Sequence, residues 1–249
     1  MKIKNIKQIV TSIMGLSALC SLNSCAVGGF TDANSAKKLP DPVKGMMVEL
    51  LEEENKTMQR CAQGSSDLAA ASALIAEGCG LEKEAQVLKA HAAALSKTSS
   101  TEDSRKYVVK GSNLVADVNA KIASSKNVTL VSKEKFEQGY QQKLQAEKTL
   151  NEVAMREIPN SLLKAAGIVI YVKNNKDKLK SNPLAAAQVG MAANYSLLPI
   201  RFVANDYMKF GQEREKFEEN CQLIGKNYSI RLPAPQKAPK IELPKGISI

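Results

Sequence analysis

The sequence predicts an all-α fold: an antiparallel bundle of about six helices, with a flexible N-terminal tether and an extended Pro/Lys-rich C-terminal tail. Three observations predict it. Between residues 41 and 228, apolar residues recur at the three- and four-residue spacing of a helix face. Strand signals are confined to the short β-leaning runs 129–131 and 168–171. Apolar residues make up 44% of the chain, enough to build a core rather than a disordered coil.

Asp41-Pro42 opens the first helix, with Asp as N-cap and Pro in the first turn. Val43, Met46, Met47, Leu50, Leu51, Met58 and Cys61 carry it to about residue 62, and Gly64 closes it. Ser65 or Ser66 then caps a short second helix, Asp67 to Glu77, ended by Gly78 and Gly80. A third runs from Leu81 to about Lys97, and 96–100 links it to a fourth over 102–124. The fourth has a narrow stripe of Tyr107, Gly111, Leu114, Val115, Val118 and Ile122, suited to coiled-coil-like packing.

Ser132 caps the fifth helix, whose inner face is Phe136, Tyr140, Leu144, Leu150 and Val153. Its alternating Lys and Glu residues predict a solvated outer face. Pro159 kinks or restarts the helix, which continues to about Lys176; the run 165–171 is apolar all round and is expected to be central. Asn182-Pro183 opens the last long region. Residues 181–200 carry no charge and admit two readings, a membrane-penetrating helix or a tightly packed internal one. The weak hydrophobicity of Ala, with Gln188, Asn194 and Ser196, favours the internal helix. Pro199 is expected to kink it, and Val203, Tyr207, Phe210, Phe217, Cys221 and Ile224 continue the stripe. From Ser229, prolines alternate with Lys237, Lys240 and Lys245, predicting an extended basic tail over 229–249.

The N-terminus reads differently. Lys2, Lys4 and Lys7 precede an uncharged run from Ile9 to Leu19, too short to span a bilayer but suited to an export signal. Leu22-Asn23-Ser24-Cys25 follows and resembles the bacterial lipobox. The resemblance covers residues 1–25 only. It implies a signal peptide at 1–24, diacylglyceryl transfer to the Cys25 thiol, and a lipidated tether over 25–40 leading to a bundle domain at 41–228. It also implies sorting of an exported lipoprotein to the outer membrane, facing the periplasm, because Ala26 rather than Asp follows the cysteine. Leu19 is too bulky before Cys20 for that residue to be the lipid site. Cleavage after Ala26, giving an unlipidated chain, and retention of the segment as an uncleaved anchor are the alternatives.

The net charge is +10, and removing the three signal lysines leaves +7. This excess suits anionic lipid, peptidoglycan or an acidic envelope protein. Nucleic acid is a poor partner for an exported chain with no Trp, six Tyr and five Phe for stacking. Besides Cys20 in the signal and Cys25, the cysteines are Cys61, Cys79 and Cys221. One disulfide is expected in an oxidising compartment. Cys61–Cys79 closes the shortest loop, although a 12-residue helix between them, about 18 Å long, works against it; either can pair with Cys221 instead. Three buried thiols acting as small hydrophobes is the alternative.

His91 is the sole histidine and lies in an Ala-rich helix, so no metal site is expected and a structural role suits it. The run Glu52-Glu53-Glu54 reads as a solvated helix face. Phosphate-loop, nucleophile-elbow and zinc-protease patterns are absent. No catalytic set and no cofactor are expected. The preferred function is a non-enzymatic scaffold or accessory subunit of an envelope assembly, with the tail lysines as candidate partner-binding residues. The alternative is a carrier holding an apolar ligand between faces around Met46, Met47 and Met191.

Overall fold

The computed structural model describes residue 36, residues 39–124 and residues 129–241. The expected signal, Cys25, most of the expected tether and Lys245 lie outside the described residues. The fold is an all-α bundle. Among the described residues there are eight α-helices, one π-helical segment and no strand. They are α1 (Val43–Gly78), α2 (Glu82–Leu95), α3 (Thr101–Ser124), α4 (Lys133–Met155), α5 (Glu157–Asn174), α6 (Lys176–Lys180), α7 (Pro183–Arg201), the π segment Phe202–Tyr207 and α8 (Met208–Asn227).

The chain forms two compact units. Among the described residues, unit 1 takes residues 36, 39–56, 156–204 and 241; unit 2 takes 57–124, 129–155 and 205–240. The chain passes between them four times: inside α1, between α4 and α5, inside the π segment, and after Lys240.

The expected break at Gly64 is absent: the first two predicted helices are one, α1, of 36 residues. Gly64 serves packing instead, since a Cβ there would lie 2.9 Å from Leu150 Cδ2. Ser65 and Ser66 are buried rather than capping, and Ser66 Oγ donates to Ala92 O at 3.0 Å. The true stop is Gly80, whose φ of 72° is the left-handed conformation glycine adopts without strain.

Unit 2 is an antiparallel bundle of the C-terminal part of α1 with α2, α3, α4 and α8. Gly64 meets Leu150 and Gly78 meets Phe136, so α4 runs back along α1. Glu84 pairs with Lys121 and His91 abuts Gly111, so α3 runs back along α2. Tyr140 meets Glu218 and Asn151 meets Arg214, so α8 runs back along α4. Phe136, Tyr140, Leu88, Val115, Phe217 and Ile224 share one core. Ser132 Oγ caps α4 by accepting from Lys135 N at 3.3 Å, as expected.

Unit 1 is built from the N-terminal part of α1 with α5, α6 and α7, and α5 packs on α7. Val43, Met47, Leu50, Leu162, Ala165, Val189 and Ala192 are buried. The helix restarts at Pro159, as expected: α4 ends at Met155, Arg156 precedes α5, and Pro159 occupies the first turn of α5, where its missing N–H has no helical acceptor to lose. Asn182 caps α7, its Oδ1 accepting from Ala185 N at 3.1 Å with Pro183 next in line.

Two expectations change in this unit. Glu54 is buried, so the acidic run of α1 is not a uniformly solvated face. Ile170 is exposed, so 165–171 is not central on every side. Pro199 lies inside α7 and the backbone widens into the π segment three residues later. A proline that deletes one i→i−4 bond and a π turn are both recognised sources of helix distortion. Among the described residues, no helix is long and apolar enough to cross a membrane.

Candidate functional site: a buried charge cluster under the C-terminal tail

The most heavily charged interior lies in unit 2, between α4 and α8. Tyr140, Lys143, Glu147 and Asn151 follow at steps of three and four residues and form one stripe of α4. Arg214, Glu218 and Gln222 form the matching stripe of α8. Lys143 is 0% exposed; its ammonium pairs with Glu218 Oε2 and lies 3.0 Å from Glu147 Oε1. Arg214 Nε lies 3.7 Å from Glu147 Oε1, and Arg214 Nη2 donates to Asn151 Oδ1 at 2.9 Å. Two cations thus face two carboxylates in a water-poor interior.

Tyr140 OH donates to Glu218 Oε1 at 2.6 Å and accepts from Gln222 Nε2 at 2.6 Å. The tail closes over the cluster. Pro233 O lies 3.2 Å from Tyr140 OH, and Asn151 Nδ2 donates to Lys237 O at 3.3 Å. Leu232 packs against Gly225, and Ile230 N donates to Gly225 O at 2.7 Å. The predicted extended tail is therefore present through residue 240, and it uses its backbone carbonyls to meet the bundle. The Lys237 and Lys240 side chains remain exposed.

The pKa directions of this cluster follow from burial set against the pairing of its charges. Burial alone lowers the Lys143 ammonium, but the attraction of Glu147 and Glu218 overrides it and holds the group above its usual value. Burial raises the Glu147 carboxyl against the pull of Lys143 and Arg214. Burial also acts to raise Glu218, but Lys143, Tyr140 and Gln222 outweigh it and hold that carboxyl low. The Tyr140 phenol is pushed up by burial and by Glu218. A nucleophilic lysine or tyrosine needs the opposite displacement.

The cysteines follow the same logic. Cys61, Cys79 and Cys221 are all buried. Burial pushes the Cys79 thiol up to about 11 and raises Cys221 as well, the reverse of an activated thiol. Continuity of α1 corrects the first disulfide expectation: Cys61 and Cys79 stand 18 residues apart along one helical path, about 27 Å, far beyond bonding reach. Cys79 and Cys221 do share the unit 2 core.

His91 is buried against α3, its ring 5.9 Å from that of Tyr107. Gly111 makes room for it, because a Cβ there would stand 2.6 Å from His91 Nε2. Burial and then Lys110 lower its pKa. Among the described residues no three His, Cys, Asp or Glu side chains gather as a metal site. The methionines expected to line a carrier face do not share an environment: Met47 is buried and Met191 exposed. An open depression of about 410 Å³ between α2 and α3 is lined by Lys83, Glu84, Val87, Leu114, Asp117 and Lys121, with no methionine.

Sequence reasoning missed Lys143, Glu147 and Glu218, reading the Lys and Glu of α4 as solvated. The available signal was the polar stripe Tyr140-Lys143-Glu147-Asn151 and its complement on α8. Neither family models nor curated proteins nor solved structures give a match to this chain.

Proposed function

We propose that the chain is an envelope lipoprotein, anchored through Cys25 in the outer membrane and facing the periplasm, and that its helical units act as a non-enzymatic scaffold or accessory subunit. The observation that carries this reading is Leu22-Asn23-Ser24-Cys25 behind a basic start and an uncharged run. Two or three acyl chains at one residue hold a protein firmly, since each buried CH₂ contributes about 0.8 kcal/mol. Support for a non-enzymatic role comes from the pairing of the buried charges in unit 2 and from thiols displaced away from reactivity. The exposed Lys237 and Lys240 side chains present positive charge to an acidic envelope protein, anionic lipid or peptidoglycan.

Metabolic labelling with radioactive palmitate tests the anchor: label enters the parent chain and is absent from Cys25→Ala. Crosslinking in cells followed by mass spectrometry tests the scaffold, which predicts a reproducible protein partner. Equal labelling of both chains refutes the anchor, and recovery of the uncrosslinked chain alone refutes the scaffold.

A further inference from the structure

We infer that unit 1 carries a second, non-covalent membrane contact: the exposed apolar stripe of α7, preceded by lysines and with a like stripe on its neighbour α5, rests on an anionic bilayer. The inference deepens the anchor reading and rests on it for the presence of a bilayer beside the chain. It begins with exposure. Leu184 and Met191 of α7 are 70% and 50% exposed, and Leu163 and Ile170 of α5 are 57% and 44% exposed. Each pair is spaced by seven residues, two helical turns, so each forms a stripe along its helix. The two helices pack on one another within unit 1. No other large hydrophobic residue of unit 1 is exposed among the described residues.

Charge then selects the occupant. Between Glu157 and Asp206 the single acidic residue is Asp177, against Lys173, Lys176, Lys178, Lys180 and Arg201, with Lys164 paired to Glu49 of α1. Lys173, Lys176 and Lys178 are exposed and lead directly into the turn before Leu184. Residues 181–200 themselves carry no charge. A protein partner of ordinary composition brings both charge signs to such a face, whereas an anionic lipid surface offers negative headgroups beside an apolar layer. No described helix is suited to crossing, so the contact lies in the interface plane. Ala185, Ala186, Ala187 and Gly190 keep α7 slim there, so that Leu184 and Met191 are its projecting apolar side chains.

The test places an environment-sensitive fluorophore at Leu184→Cys, Met191→Cys and, as a unit 2 control, the exposed Leu223→Cys. The full chain is reconstituted in vesicles of phosphatidylglycerol and phosphatidylcholine bearing brominated acyl chains, with the parent chain as labelling background. Fluorophores at 184 and 191 are expected to be quenched at least about twofold, and the one at 223 unchanged. Replacing Lys173, Lys176 and Lys178 by Gln, or omitting phosphatidylglycerol, is expected to remove at least about half of that quenching. Equal quenching at 184, 191 and 223, or quenching indifferent to lipid charge, overturns the inference. Protection of 184 and 191 from aqueous iodide without bromolipid quenching also overturns it, in favour of a second copy or another protein. Palmitate labelling separates the two claims: labelled Cys25 without quenching leaves the anchor and removes the face, and quenching without label does the reverse.

Discussion

The two units differ in how their helices place charge. Unit 2 buries charge: Lys143, Glu147, Arg214 and Glu218 are interior, mutually paired, and roofed by an extended tail. Unit 1 contains a long stretch without charge: α7 has none between residues 181 and 200, and Leu184 and Met191 point outward from it. A buried ionic network fixes which helix faces meet, because only one register pairs every charge, and it adds little net stability over an apolar core. An exposed apolar stripe does nothing for the fold of its own unit and acquires value only against something else. The contrast assigns architectural precision to unit 2 and surface contact to unit 1.

The sharpest way to break this contrast is Lys143→Met. It leaves Glu218 and Glu147 facing each other without their shared cation, at a cost of about 3–5 kcal/mol. Thermal denaturation followed by circular dichroism reads this as a large fall in Tm; a change under about 1 kcal/mol would show that the cluster is solvated rather than buried.

Glycine substitutions sharpen the comparison at smaller scale. A Cβ at Gly139 would stand 2.8 Å from Ile75 N and 2.9 Å from Ala71 O, both backbone atoms that move only with their helix. Gly139→Ala is expected to destabilise by about 1–3 kcal/mol. Gly190 of α7 has nothing within 4 Å, so Gly190→Ala is expected to stabilise by about 0.5–1 kcal/mol through helix propensity alone. The same sign for both substitutions in chemical denaturation contradicts the difference in packing.

Truncation after Leu232 removes the carbonyls of Pro233 and Lys237 from Tyr140, Gln222 and Asn151. Three hydrogen bonds are lost, so the expected loss is about 3 kcal/mol, at roughly 1 kcal/mol per hydrogen bond. Hydrogen exchange at α4 and α8 should accelerate locally; an unaltered exchange pattern means that the tail does not hold the cluster closed.

The smallest effect is a pH response in α2. His91 has its pKa lowered by burial, so the unfolded chain takes up the proton first as pH falls. Its stabilising contribution is complete above about pH 6.5, the ordinary value, and is lost as pH drops through the lower folded value. Melting curves between pH 7 and 5 should show a decline that His91→Gln flattens, and a parallel decline in both chains rejects the assignment.

Much of the fold was legible because helical stripes are local. Of the predicted inner face, Phe136, Tyr140, Leu150 and Val153 are buried and Leu144 is half-buried, and Asn182 and Ser132 cap the helices they were expected to open. Failures came where a local sign had a distant cause. Gly64 resembles a terminator, yet its small size answers Leu150 on α4. Lys143 resembles a solvated lysine because its partner Glu218 lies 75 residues away in sequence. The tail was legible as extended, whereas its docking was not, because backbone carbonyls leave no residue signature. The proposed lipid site at Cys25 rests on a local motif, whereas the buried cluster needed the fold to be seen.

One measurement bears on the central claim more directly than any other: the mass of the N-terminal peptide of the chain recovered from the membrane fraction. Anchoring through Cys25 predicts a chain that begins at Cys25 and carries a diacylglyceryl group. A chain beginning at Val27, or one retaining Met1 with Cys25 unmodified, contradicts it.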